Sequence, residues 1–296
     1  MSKNKIVSKV KIEVPKIEED KRPVKGGDIF PLLYCIIYLL AKKNSGKTVV
    51  IFNICKQCAG KNTKFIFISS TVYKDKTWKF MTDYFEEKGN EVLKYTDLYD
   101  TEDGTNVIEE FIKENQFDDE EDKQDTKELP PPKIGSGIRF LPLVPINNTQ
   151  VKNSIEFPNK VDNQKAGGSK KEKKTKYVYP EYIIVLDDQG KGMRDKSVEF
   201  LMKRHRHFRT KLILSGQTLK DLNPAELQQI DYALVFPKLP DMQLKELRER
   251  MQLNIPEDEL FKYYKQATEE KYNFLYIASN NTELRENFNK LLYIDE

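Results

Sequence analysis

Apolar residues in this chain fall into short continuous runs and into stripes at helical spacing, and the two kinds alternate. The run over 29–40 is followed by Lys42, Lys43, Asn44, Ser45 and Gly46, which reads as a buried strand feeding a polar turn. Past the turn, Val50 or Ile51, Ile54, Cys55 and Cys58 recur at helical spacing, and Gly60 supplies a stop. The same reading predicts strands over 65–68, 92–95, 182–186, 212–214, 232–236 and 274–278, and helices over 78–87, 107–113 and 198–202. Asn223, Pro224 and Glu226 have the cap, first-turn proline and third-position acid of another helix start. Strands alternating with helices imply an α/β fold, a mainly parallel sheet with helices on both faces.

Two stretches break the alternation. Residues 1–27 form a charged N-terminal arm in which Val10, Ile12 and Val14 alternate as one edge strand at most, which leaves 28–296 for the folded part. Over 118–128 seven acids stand with two lysines; Pro130, Pro131 and Pro132 follow, and over 165–176 six lysines surround Gly167 and Gly168. Such a segment buries too little apolar surface to offset its ordering entropy, so about 116–176 reads as a largely mobile insertion, with 138–144 able to pack locally. This explains why charged residues reach 33%, above the roughly 25% of ordinary domains. The net charge is only +3, so no global field points to a nucleic-acid, membrane or acidic partner, and any basic site is local. Three Cys and two His exclude a disulfide framework or a multi-zinc module. The strongest apolar run contains Pro31 and is shorter than the roughly 20 residues a membrane span needs. No apolar core follows the Lys-rich start, so the expected setting is soluble and intracellular.

The candidate chemistry begins in the first turn. Ala41-Lys42-Lys43-Asn44-Ser45-Gly46-Lys47-Thr48 fits the phosphate-binding loop G-x-x-x-x-G-K-[ST], with Ala in place of the first Gly. The motif needs a backbone that curls until several N–H groups point inward, a Gly at the closest approach to phosphate, and a helix N-terminus aimed at the anion. Lys47 would reach the β and γ phosphates of ATP, and the Thr48 hydroxyl would be a ligand of Mg2+. The ordinary alternative is a Gly/Ser turn before a helix; the placement between strand and helix favours the loop. Residues 182–188 add an apolar strand ending in Asp187 and Asp188, the pattern of a Walker B strand. There Asp187 would hold hydrated magnesium, and Asp188 would orient or deprotonate the attacking water.

The strand over 212–214 runs into Ser215, Gly216, Gln217 and Thr218, which puts the Gln217 amide at the same sheet edge as a sensor of the γ phosphate or an organiser of the water. Upstream, Lys203, Arg204, His205, Arg206, His207 and Arg209 form the densest basic run of the folded part. Arg204, Arg206 or Arg209 would supply a finger to a neighbouring subunit's nucleotide or touch a nucleic-acid backbone; equally, they would be a solvated helix end complementing its dipole. Cys55 and Cys58 spell C-x-x-C, but both fall on the apolar stripe and read as core.

On these residues the sequence resembles the FtsK-HerA superfamily of P-loop motor ATPases, and most of all the genome-packaging ATPases of poxviruses, other large DNA viruses and virophages. The resemblance runs over about 31–251. It rests on the loop ending at Thr48, on the strand ending Asp187-Asp188, and on Arg204-His205-Arg206-His207 followed by a strand and Gln217. It implies a RecA/ASCE-like P-loop NTPase fold and an ATPase that works as a homo-oligomeric ring with nucleotide between subunits. That ring would pump double-stranded DNA into a capsid through a portal or vertex protein. Ala41 replaces the usual first Gly, and Asp188 is one methylene shorter than the Glu common at its position. Outside that resemblance, the loop and strand alone also suit a non-catalytic nucleotide-dependent scaffold or a phosphotransferase acting on a small molecule.

Overall fold

The computed structural model describes residues 24–101, 103–116 and 181–295. Its strands are β1 (Ile36–Leu40), β2 (Lys64–Ser69), β3 (Val92–Tyr95), β4 (Tyr182–Asp187), β5 (Thr210–Gly216), β6 (Tyr232–Val235), β7 (Leu275–Ala278), β8 (Glu283–Glu286) and β9 (Lys290–Tyr293). They make one sheet in the order β3-β2-β4-β5-β1-β6-β7-β8-β9. The first six pair in parallel and the last three extend the sheet antiparallel.

Both faces are covered because the central strands are apolar on both sides, as buried parallel strands are. Ile37, Leu39, Phe67, Val185 and Ile213 pack under α1 (Lys47–Cys58) and α2 (Lys76–Glu87), which contribute Ile51, Ile54, Trp78 and Phe85. Tyr38, Leu40, Ile184, Leu186 and Leu214 face α3 (Val107–Asn115), α4 (Lys196–Arg204), the short α5 (Pro224–Leu227), α6 (Asp241–Arg250) and α7 (Glu257–Ala267). Asp75, Asn106 and Asp195 cap α2, α3 and α4 by accepting from first-turn N–H groups. The result is an α/β fold, a mostly parallel sheet with helices on both faces, with β5 inserted between β1 and β4.

Every element predicted within the described residues is present, with three differences. The apolar run over 29–40 is strand only from Ile36; Pro31 offers no N–H to a ladder, and Ile29 and Phe30 fold over the sheet, where Phe30 meets Tyr232 at 4.8 Å between ring centroids. Next, α6 and α7 were not read from the pattern, since α6 buries only Leu244 and Leu247 among ten residues. Finally, β8 and the edge strand β9 carry little alternation. The expected arm strand at Val10, Ile12 and Val14, the stretch over 138–144 and nearly all of the expected insertion lie outside the described residues.

α3 packs against the start of β4, with Phe111 4.9 Å from Tyr182 between ring centroids and the Tyr182 hydroxyl donating to Asn115 Oδ1 at 2.9 Å. Burial, aided by Glu110, pushes the neighbouring Glu114 carboxyl up to about 7. A carboxyl raised in the folded state supports folding fully below its unfolded value and loses that support as pH rises through the folded one. Thermal stability should therefore fall between the usual glutamate range and about pH 7 from this group. Melting curves of Glu114→Gln should show that slope flattened and a higher midpoint than the parent at pH 8; parallel pH profiles would show that Glu114 is not responsible.

Candidate active site

The turn after β1 is built by backbone that few residues adopt. Asn44 and Gly46 both have left-handed φ, 61° and 85°, and Ala41 N–H donates to Gly216 O at 2.9 Å, tying the loop to the end of β5. Because that tie uses only backbone, and Ala41 is itself buried, Ala at the first motif position is compatible with the loop. α1 then starts at Lys47 with no side-chain cap and no acid in its first turn. Its leading N–H groups and the positive end of its dipole are open to an anion. Lys42, Lys43 and Asn44 are exposed on the loop, Ser45 is partly buried, and Thr48 stands partly exposed in the first turn.

Strand register brings the acids to this loop. Ser69, Asp187, Ser215 and Leu39 form one row across β2, β4, β5 and β1, on the face that carries α1. The Lys47 ammonium lies 3.1 Å from Asp187 Oδ1 and also pairs with Asp188 Oδ2. Asp188 reaches it because its backbone turns left-handed, φ 52°, while its N–H donates to Ser215 O at 3.0 Å; Asp tolerates that region better than most residues. Ser69 Oγ donates to Asp187 Oδ2 at 3.3 Å and fixes that carboxylate's second oxygen.

The pairing leaves polar atoms unsatisfied. Ser45 Oγ, Lys47 Nζ, Asp187 Oδ1 and Ser215 Oγ are buried without a hydrogen-bond partner, so the Lys47–Asp187 contact is an ion pair lacking aligned hydrogen bonds. A buried polar group without a partner costs about 1–3 kcal/mol, and four gathered around a phosphate-type loop fit a ligand rich in oxygens. Thr48 and Asp187 offer oxygen donors of the hard kind that magnesium takes. Ser69 and Ser215 were missed by sequence reasoning. The available signal was a serine directly after each apolar run, 65–68 and 212–214, but only register shows that both flank Asp187.

Gln217 follows Gly216 directly and so stands at the loop's edge of the sheet, exposed, with its N–H donating to Asp221 Oδ2 at 2.9 Å. The basic run is at the other edge. Thr210 pairs with Tyr182, the first residue of β4, whereas Asp187 is the last; five strand steps put the run about 17 Å from the acids. Arg204 stacks on Phe200 at 4.6 Å, Arg206 lies 3.6 Å from Asp231 Oδ1, and the Arg209 carbonyl accepts from Tyr182 N at 3.1 Å. Asp231 in turn accepts from Ile36 N at 2.8 Å, so Arg206 borders the start of β1. His205 is buried on the Met202 carbonyl, and burial lowers its pKa. The structure thus gathers Lys47, Thr48, Asp187, Asp188 and Gln217 at one edge and separates all three arginines from it.

Cys55 and Cys58 are both buried under the sheet, and burial pushes the Cys58 thiol up to about 11, so both are packed thiols rather than reactive ones.

No family model matches the chain, and no curated protein matches it. Among solved structures it is similar to the genome packaging NTPase B204 from Sulfolobus turreted icosahedral virus 2. In complex with AMP that protein matches at 14% identity and TM-score 0.48, over 90% of this chain and 98% of that one. In complex with ATP-gammaS it matches at 14% and 0.47, over 86% and 96%. B204, the DNA-packaging ATPase from Sulfolobus Turreted Icosahedral Virus, matches at 15% and 0.46, over 85% and 95%. The likeness is one of fold.

Proposed function

We propose that the chain is an ATPase that works as a homo-oligomeric ring to move double-stranded DNA, packaging a viral genome into a capsid through a portal or vertex protein. One observation carries the hydrolytic half: Lys47, Asp187 and Asp188 converge at the open N-terminus of α1. The backbone N–H groups of Gly46, Lys47 and Thr48 bind phosphate oxygens, and an arriving polyanion competes with Asp188 for the Lys47 ammonium. Asp188 is then released to accept a proton from the water that attacks the γ phosphorus, with ADP leaving. Ser69 holds the Asp187 carboxylate, and Gln217 orients the water from the end of β5. Thr48 and Asp187 would hold magnesium, which would supply neutralisation of the phosphate charge.

The DNA half rests on the sequence resemblance carried by the basic run and Gln217. Exposed Arg204 and Arg206 lie at the edge away from Asp187 and Asp188, where a cation serves a neighbouring subunit's nucleotide or a phosphate backbone, not its own site. No helix among the described residues is long and apolar enough to cross a membrane, and the proposed setting is intracellular, with no membrane partner.

Phosphate release measured with and without duplex DNA across several salt concentrations tests the motor reading. DNA should raise turnover, with the effect fading as salt rises. Turnover indifferent to DNA at every salt concentration would leave a small-molecule phosphotransferase, and binding without turnover would leave a nucleotide-dependent scaffold.

A further inference from the structure

Strand order gives a nucleotide at this site a direction. Asp187 ends β4 and Asp188 follows it, and Ser215 lies at the end of β5 with Gln217 just past it, all on one side of β1. A triphosphate whose γ end lies toward these groups sends its nucleoside to the other side, over β6 and β7. The chain reaching that edge is the segment between α7 and β7, because Leu275 enters the sheet opposite Val235, which itself pairs with Leu40 at the start of the phosphate loop.

Tyr272 stands there. Its Cδ1 is 3.2 Å from where a Cβ on Gly46 would be, and its Cγ is 3.8 Å away, so the ring rests on the phosphate loop itself. Its φ is 75°, a left-handed value that a bulky residue keeps only when its surroundings hold it there. Those surroundings are visible in the next residues. Asn273 N donates to Glu270 O at 3.2 Å, Asn287 Nδ2 to Asn273 Oδ1 at 3.0 Å, and Phe274 N to Asn287 Oδ1 at 3.1 Å. Despite this anchoring Tyr272 is 52% exposed, whereas a tyrosine serving the core would be buried. Lys271 places its ammonium 4.6 Å from the ring centroid, adding a cation beside the path of a polyanion.

We propose that Tyr272 is the base-stacking residue of the nucleotide site, its ring lying against the purine of the bound nucleoside phosphate. The proposal rests on the ATP-site reading and extends it to the base. Stacking reads the π face and not the hydrogen-bonding edge, so Tyr272 favours purines over pyrimidines and separates adenine from guanine little.

Calorimetric titration of the full chain with Mg-ADP, Mg-CDP and inorganic tripolyphosphate tests it. Tyr272→Ala should weaken ADP binding on the order of tenfold to a hundredfold while leaving tripolyphosphate within about twofold, and Tyr272→Phe should stay near the parent for both. The parent's preference for ADP over CDP should shrink in Tyr272→Ala. Tyr272→Trp reports independently: its emission should be quenched by ADP and not by tripolyphosphate. Unchanged ADP affinity in Tyr272→Ala, or equal loss for ADP and tripolyphosphate, overturns the assignment and leaves the phosphate site standing. A parent chain that binds neither ligand overturns the ATP-site reading and this one with it.

Discussion

Lys47→Ala is expected to reduce ATP hydrolysis on the order of a thousandfold, to the background of the assay, because it removes the cation that bridges the two acids. A phosphoryl group in transfer spreads its charge over oxygens that this ammonium is placed to meet, and neither the backbone N–H groups nor the exposed Lys42 and Lys43 replace a buried point charge. The same change should show in stability. Asp187 and Asp188 lose their shared counter-charge, and taking one partner from a buried pair typically costs about 3–5 kcal/mol. Steady-state phosphate release, run beside thermal melting, separates the two effects. A variant that melts lower but turns over like the parent would reduce Lys47 to a structural cation and remove the basis of the catalytic reading.

Asp188→Asn should give a different signature. The amide keeps the size of the carboxylate and loses its capacity to take a proton, so turnover should drop roughly a hundredfold to ten-thousandfold with nucleotide binding kept. Loss of turnover should appear in kcat with KM near the parent value, as it does when a group acts only in the transition state. Binding should even tighten slightly, since Asn no longer competes with phosphate for the Lys47 ammonium. Equilibrium titration with a slowly hydrolysed ATP analogue, alongside rapid-quench measurement of the chemical step, distinguishes the cases. Unaltered turnover would assign the base elsewhere, and weakened binding would make Asp188 a ligand-holding group like Asp187.

The two halves of this site were legible in the sequence to different degrees. The loop was readable because a run of eight residues carries its own geometry: Gly46 must go left-handed and the helix must begin at Lys47, whatever the rest of the chain does. Asp187 and Asp188 were readable because adjacent acids closing an apolar strand are conspicuous. Ser69 and Ser215 were not, since a Ser closing a strand is common and acquires meaning only through the neighbour it faces. Nor was Tyr272, which lies far along the chain from Gly46 and is one of 15 tyrosines. The basic run was equally visible, but its distance from the acids depends on which end of β5 it occupies relative to β4.

Local pattern alone therefore determined the elements of the parallel core, the glycine-containing loop before α1 and the acidic strand end, because hydrophobic period, turn residues and capping act over a few residues at a time. Only the tertiary structure decided that β5 separates β1 from β4, that α6, α7, β8 and β9 belong to the described fold, and that a tyrosine comes to rest on Gly46. Those outcomes depend on register and strand order, which are set by how whole apolar faces are buried together and leave no trace in any short stretch of sequence.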